Sequence, residues 1–131
     1  MFRRIAVLIG AVFAVLAISM TPAQAADGGA KTTNGAGSVW FESYGEHVTV
    51  NDWRADGHGV KAWIYELRRG PGGQDKYFLV DSVYNGKGYH AGPKTANLSI
   101  TDGHSVKLRV CLVDGSSDKS PSKCGTSYTT A

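Results

Sequence analysis

The sequence predicts an all-β domain, a sandwich of seven short strands packed as two sheets. Three observations carry that prediction. From Ser38 onward, apolar and polar residues alternate at period two. Clusters of Gly, Pro, Asn and Asp interrupt the alternation at roughly the 8–12-residue spacing of such folds. No segment of that region has the 3.6-residue period of an amphipathic helix.

The elements follow in order. "SVWFES" is a first strand, ended by Tyr44-Gly45. "EHVTVNDW" sets Val48 and Val50 on one face. "GVKAWIYELR" sets Val60, Ala62 and Ile64 on one face and Trp63, Tyr65 and Leu67 on the other. Both of its faces are partly apolar, as expected of a central strand. "RRGPGGQD" is a turn, because Gly and Pro supply the backbone angles a reversal needs. "KYFLVDSVY" is a β-branched and aromatic strand, followed by the loop "NGKGYHAGPK". "TANLSI", with Leu98 and Ile100 in phase, is the fifth strand. "VKLRVCLV" alternates Val106, Leu108, Val110 and Leu112; a polar loop and the last strand "CGTSYTT" close the domain.

The first segment has a different character. Arg3 and Arg4 precede an apolar run from Ile5 to Met20, and "TPAQA" follows with Ala23 and Ala25 at small-residue positions. This is the layout of a secretory signal peptide over 1–25, with cleavage between Ala25 and Ala26. The run is short for a membrane span, which needs about 20 apolar residues, so no membrane association is expected after cleavage. Residues 26–37, "ADGGAKTTNGAG", read as a disordered leader, and 38–131 as the sandwich.

Cleavage changes the charge. Arg3 and Arg4 leave with the leader, so the 14 Lys and Arg become 12, against 11 Asp and Glu. The remaining chain is close to neutral and gives no basis for nucleic-acid binding. Cys111 and Cys124 form an even pair in an exported chain, which argues for one disulfide. Closing a loop of about 14 residues contributes about 3 kcal/mol. Cys111 is out of phase with Val106, Leu108 and Val110, so the bridge belongs on the outer side of its sheet or under the loop.

Length and turn spacing fit a sandwich of the immunoglobulin kind, with a small closed barrel as the alternative. "LSITDGHSVKLRVCLVDGSSDKSPS" resembles the last three strands of fibronectin type III-like domains. Two positions depart from that family. Val106 stands where a corner tyrosine is usual. Asp52 stands where a core tryptophan is usual, with Trp53 one residue late unless a bulge intervenes. The whole exported chain, with "GEHVTVNDWRADGHGVKAWI" and its "RVC…C" ending, is similar to small exported actinobacterial proteins. That resemblance implies secretion and a β-sandwich, and no particular activity.

"DGH" occurs twice, at Asp56-Gly57-His58 and Asp102-Gly103-His104. Two His and two Asp would suit a metal if they converged. In the expected topology, however, the two copies precede strands that run antiparallel side by side. Their starts then lie at opposite poles, about 26–33 Å apart for strands of eight to ten residues. Asp-Gly is also a strong turn pair. The repeat therefore predicts a turn used twice, and no metal or other cofactor is expected. "NDWRADG" lacks the alternating oxygen ligands and terminal Glu of a calcium loop. There is no Gly-x-Ser-x-Gly elbow and no paired-carboxylate motif, so the chain is not expected to be an enzyme and no catalytic residue is assigned.

Binding remains. The same topology gathers three loops at one pole: Arg54–His58, Asn85–Lys94 and Asp114–Lys123. Candidate binding residues are Trp53 at the edge of that pole, His58, Tyr89, His90, Lys119 and Lys123. Trp40, Trp53 and Trp63 are expected mainly as core or half-buried sheet residues. The leading expectation is a monomeric module that binds an extracellular protein or an envelope glycan through these loops. One alternative is inhibition of an extracellular serine protease, with loop 112–123 offering Lys119 or Lys123. The other is carbohydrate binding on a row of exposed aromatics.

Overall fold

The computed structural model describes residues 25–131. The predicted signal peptide lies outside the described residues except for Ala25. Eight strands form among the described residues, one more than the sequence predicts: β1 Gly28–Lys31, β2 Gly37–Glu42, β3 His47–Asp52, β4 Gly59–Arg69, β5 Asp75–Asn85, β6 Lys94–Asn97, β7 Ser105–Val113 and β8 Ser122–Thr130. A short 3-10 turn, Tyr89–Ala91, interrupts the loop before β6. The strands build two antiparallel sheets, ordered β1-β2-β3-β6 and β5-β4-β7-β8.

The core lies between the sheets and follows from the alternation. Val39, Phe41, Val48 and Val50 meet Val60, Ala62, Ile64, Val106, Leu108 and Val110, all fully buried or nearly so. β4 is central, and its outer residues Trp63, Tyr65 and Leu67 are half-buried, as its two partly apolar faces predict. β4 and β7 pair antiparallel, from Gly59 opposite Val113 to Glu66 opposite Val106. The expected neighbour relation of these strands is therefore present.

The leader is the principal correction. Gly28–Lys31 is an edge strand paired with β2, and Ala30 and Ala36 are buried in the core. A tight turn makes this hairpin. Gly35 takes φ +73, and the Thr32 N–H donates to the Gly37 carbonyl at 2.9 Å. The Thr32 hydroxyl accepts from the Gly37 N–H, and the Asn34 side-chain oxygen accepts from the Ala36 N–H. Asn34-Gly35 is thus the hairpin turn whose residues the flanking composition obscured.

β6 is shorter than predicted, ending at Asn97 rather than Ile100. Glutamates capture the backbone donors that a longer strand would spend on its ladder. The Leu98 N–H donates to the Glu46 carbonyl, and the Ile100 N–H to Glu46 Oε2 at 2.6 Å. The Thr101 N–H donates to Glu66 Oε1 at 3.0 Å. Leu98 and Ile100 still pack on the core without strand pairing.

β1 also reaches the other sheet. The Ala26 N–H donates to the Thr130 carbonyl at 2.9 Å, and the Ser127 hydroxyl donates to the Gly29 carbonyl at 2.6 Å. This seam tolerates no side chain at Gly125, where a Cβ would stand 1.8 Å from the Lys31 carbonyl oxygen. Backbone would have to move to make room. Gly125→Ala is expected to destabilise the protein by about 1–3 kcal/mol. A thermal melt checks this, and an unchanged melting temperature would mean that the seam is not part of the stable fold.

Candidate functional site

The three loops expected at one pole do meet there. Arg54, His58, Tyr84, Lys87 and Asp114 line a common open pocket of about 440 Å³. His58 Nδ1 lies 2.6 Å from Asp114 Oδ1, which ties the first loop to the third. The hydrogen bond and charge of Asp114 raise the His58 pKa above the usual imidazole value. Lys61 Nζ donates to the Ser116 carbonyl, a second tie between the same elements. Asp52 also borders the pocket. It is buried, its Oδ1 accepts from the Arg54 N–H, and its Oδ2 has no partner among the described residues. Burial lifts the Asp52 pKa above the usual carboxylate value; the Arg54 N–H opposes this, and the nearby charge of Asp56 adds to it.

The two DGH copies are turns. His58 N–H donates to Asp56 Oδ1 at 3.0 Å, with Gly57 at φ +77. In the second copy the His104 N–H donates to the Thr101 carbonyl, with Gly103 at φ +82. The copies stand before β4 and β7, at opposite ends of that antiparallel pair. His104 Nδ1 lies 2.9 Å from Glu66 Oε1, so each imidazole has its own acidic neighbour. Among the described residues, no three His, Cys, Asp or Glu side chains converge as a metal-ligand group.

The other expected binding residues do not join His58. Tyr89 and His90 sit on the 3-10 turn and pack edge-to-face on each other, with centroids 5.0 Å apart. Loop 114–121 is curled rather than extended, because Asp118 accepts from the Asp114 and Ser120 N–H groups. Those bonds hold the Asp118 carboxyl below its usual pKa. Lys119 is exposed on this curl. Lys123 lies within β8 at φ +54, its carbonyl accepting from the Thr33 N–H. The Cys111–Cys124 disulfide joins β7 to β8 where their register shifts, at the end nearest this loop. It lies on the outer side of the sheet, as its phase predicts, with Arg109 Nη2 3.4 Å from Cys124 Sγ.

Trp53 does not line the pocket at the pole, although Asp52 and Arg54 on either side of it do. Asp52 takes the inward position in phase with Val48 and Val50, and no bulge rotates Trp53 into the core. The indole lies instead on the outer face of the first sheet, its Nε1 donating to Ser38 Oγ at 2.8 Å. Two residues further along β2, on the same face, is Trp40, the residue that the expectation of core or half-buried tryptophans obscured. Its ring occupies the space above Gly29, where a Cβ would come within 2.7 Å of Trp40 Cε3. Trp40 is 47 % exposed and Trp53 51 %. Same-face neighbours on a strand are about 7 Å apart, so the two anchoring points are close. A shallow depression of about 300 Å³ flanks Trp40 between β1 and β2. Thr49, Asn51 and Thr95 supply hydroxyl and amide groups on the same face. The signal that would have found this surface is phase: Trp40 alternates with the buried Val39 and Phe41.

Fold and surfaces define a small disulfide-bonded all-β domain with two open sheet faces and open pockets among the loops of one pole. Comparison with protein-family models, curated proteins and solved structures finds no match.

Proposed function

We propose that this is an exported immunoglobulin/fibronectin III-like binding module for an envelope glycan, with the outer face of the β1-β2-β3-β6 sheet as its platform. The observation that carries the reading is the pair of half-exposed tryptophans on one face. Each indole is held in place by its own sheet, Trp40 over Gly29 and Trp53 through Ser38. The C–H face of a pyranose packs on such a ring, and a ring already fixed loses little entropy on binding. Secretion is supported by the signal-peptide layout and by the disulfide, which suits an oxidising compartment. The sheet order, with β4 beside β7, supports the sandwich type.

A second reading keeps the site at the loop pole, with a protein as partner. The pocket spanned by the His58–Asp114 contact favours it. Protease inhibition draws less support, because the curl around Asp118 leaves loop 112–123 without the extended form an inhibitor presents.

One experiment separates the two binding readings: depletion of the protein from solution by insoluble chitin, cellulose and peptidoglycan. The platform reading expects binding to at least one of these. Trp40→Ala and Trp53→Ala should each weaken it by about 30-fold, the loss that goes with truncating an aromatic hot spot. His58→Ala should leave it unchanged. Loss with His58→Ala and not with the tryptophan variants would move the site to the pole.

A further inference from the structure

The outer face of the second sheet carries a different chemistry. Lys61, Lys107 and Arg109 project from the adjoining strands β4 and β7, interleaved with Trp63, Tyr65 and, from β5, Tyr77. Lys61 Nζ and Arg109 Cζ lie 5.2 and 4.9 Å from the Trp63 ring centre. Lys107 Nζ lies 5.3 Å from that of Tyr65 and 5.9 Å from that of Tyr77. Across a sheet, a cation is stabilised by a carboxylate directly opposite. Here the residues opposite them are Trp63, Tyr65, Tyr84, Cys111, Thr126 and Tyr128, and none of the three cations makes an ion pair among the described residues. Neighbouring cations in this arrangement stand about 7–8 Å apart, where like charges repel. The aromatic rings offset that repulsion and fix the heads in place.

We propose that this face is a second binding surface, for an acidic polysaccharide. Three positioned, half-buried cations supply partners for carboxylates along a sugar chain, in charge-assisted contacts. At the margin, Leu79 and Tyr128 are more than half exposed and offer apolar contact to the sugar rings. The surface is open and belongs to a sheet rather than a cleft, which suits an extended polymer. Single-stranded nucleic acid fits it less well, because base stacking needs free ring faces and the cations already occupy those of Trp63, Tyr65 and Tyr77. This surface is separate from the tryptophan platform and stands or falls independently of it.

The test is calorimetric titration of the protein with polygalacturonate at low salt, with neutral dextran and oligo-dT as parallel probes. Polygalacturonate should bind, weaken as salt screens the cations, and outbind both other polymers. The double variant Lys107→Gln/Arg109→Gln should lose about tenfold or more in affinity. Lys119→Gln/Lys123→Gln removes the same charge from the third loop and β8 and should change affinity less than about twofold. Lys107→Arg/Arg109→Lys should retain binding. If the glutamine pair does not fold, Lys61→Gln alone should still weaken binding. Absent polygalacturonate binding, equal losses from the two glutamine pairs, tighter binding of oligo-dT, or unchanged binding in Lys61→Gln would each overturn the proposal.

Discussion

Phe41→Ala should remove about 3–5 kcal/mol of stability, the range for emptying a buried aromatic site. Phe41 is fully buried, lies opposite Val48 on β3, and is among the largest fully buried side chains. A small domain holds about 5–15 kcal/mol in total, so this one change consumes much of the margin. The preceding residue points the other way. Trp40→Ala vacates a surface position above Gly29 and should cost less than about 1 kcal/mol, while weakening the proposed glycan binding by the same factor of about 30. Urea unfolding of both variants checks the pair. A Trp40→Ala loss as large as that of Phe41→Ala would put the indole in the core and remove the basis for the platform.

Glu66→Ala should cost about 3 kcal/mol. The carboxylate is 1 % exposed, yet it sits in phase with Val60, Ala62 and Ile64 on the central strand. It accepts from Arg68 Nε at 2.5 Å and from the Thr101 N–H at 3.0 Å. Arg68 is about half exposed and can return to water once its partner is gone, so the heavier cost of stranding a buried cation does not apply. The loss comes from the Thr101 N–H, left without its acceptor, and from the space vacated. Acid probes the same group. Burial alone would raise the Glu66 pKa, but the Arg68 guanidinium and the Thr101 N–H outweigh it and hold the carboxyl below the usual range. The stability it contributes is therefore complete above the ordinary glutamate pKa of about 4.3, and is lost as pH falls through the lower folded value. Melting temperature followed from pH 7 to pH 3 should fall more steeply for the native protein than for Glu66→Gln. Parallel curves would show that Glu66 does not carry this linkage.

The strands from Ser38 onward were legible because period two has a direct structural meaning: residues in phase share a face. That rule placed Val60, Ala62 and Ile64 inside and put Cys111 out of phase with the core. The expected sandwich topology made β4 and β7 neighbours with their DGH turns at opposite ends and brought the three loops to one pole. Strand β1 was not legible, since its two glycines and an alanine carry no alternation and its stability comes from partners far along the chain. Glu66 and Asp52 were visible as polar residues at inward positions, but what pairs with the first and leaves the second's Oδ2 unpaired depends on loops whose course is set by packing. Trp53 was misplaced for a simpler reason. Its neighbourhood was read by proximity to the loop, whereas its direction follows from Asp52 pointing inward.

The seam between β1 and β8 bears on how the chain reaches this structure. The Ser127–Gly29 bond spans a sequence separation of 98 residues, and the Thr129–Ala26 bond one of 103. Hairpins such as β4–β5 can close early, on microsecond timescales. The first strand can dock across the sandwich only after the last has been laid down, and closing a loop of that length carries its entropy cost before any contact repays it. Folding should therefore proceed at the slow pace of non-local β topologies, with Ala30 uncovered until the final step. For the exported module proposed above, that order means that the fold cannot lock before its last strand has emerged.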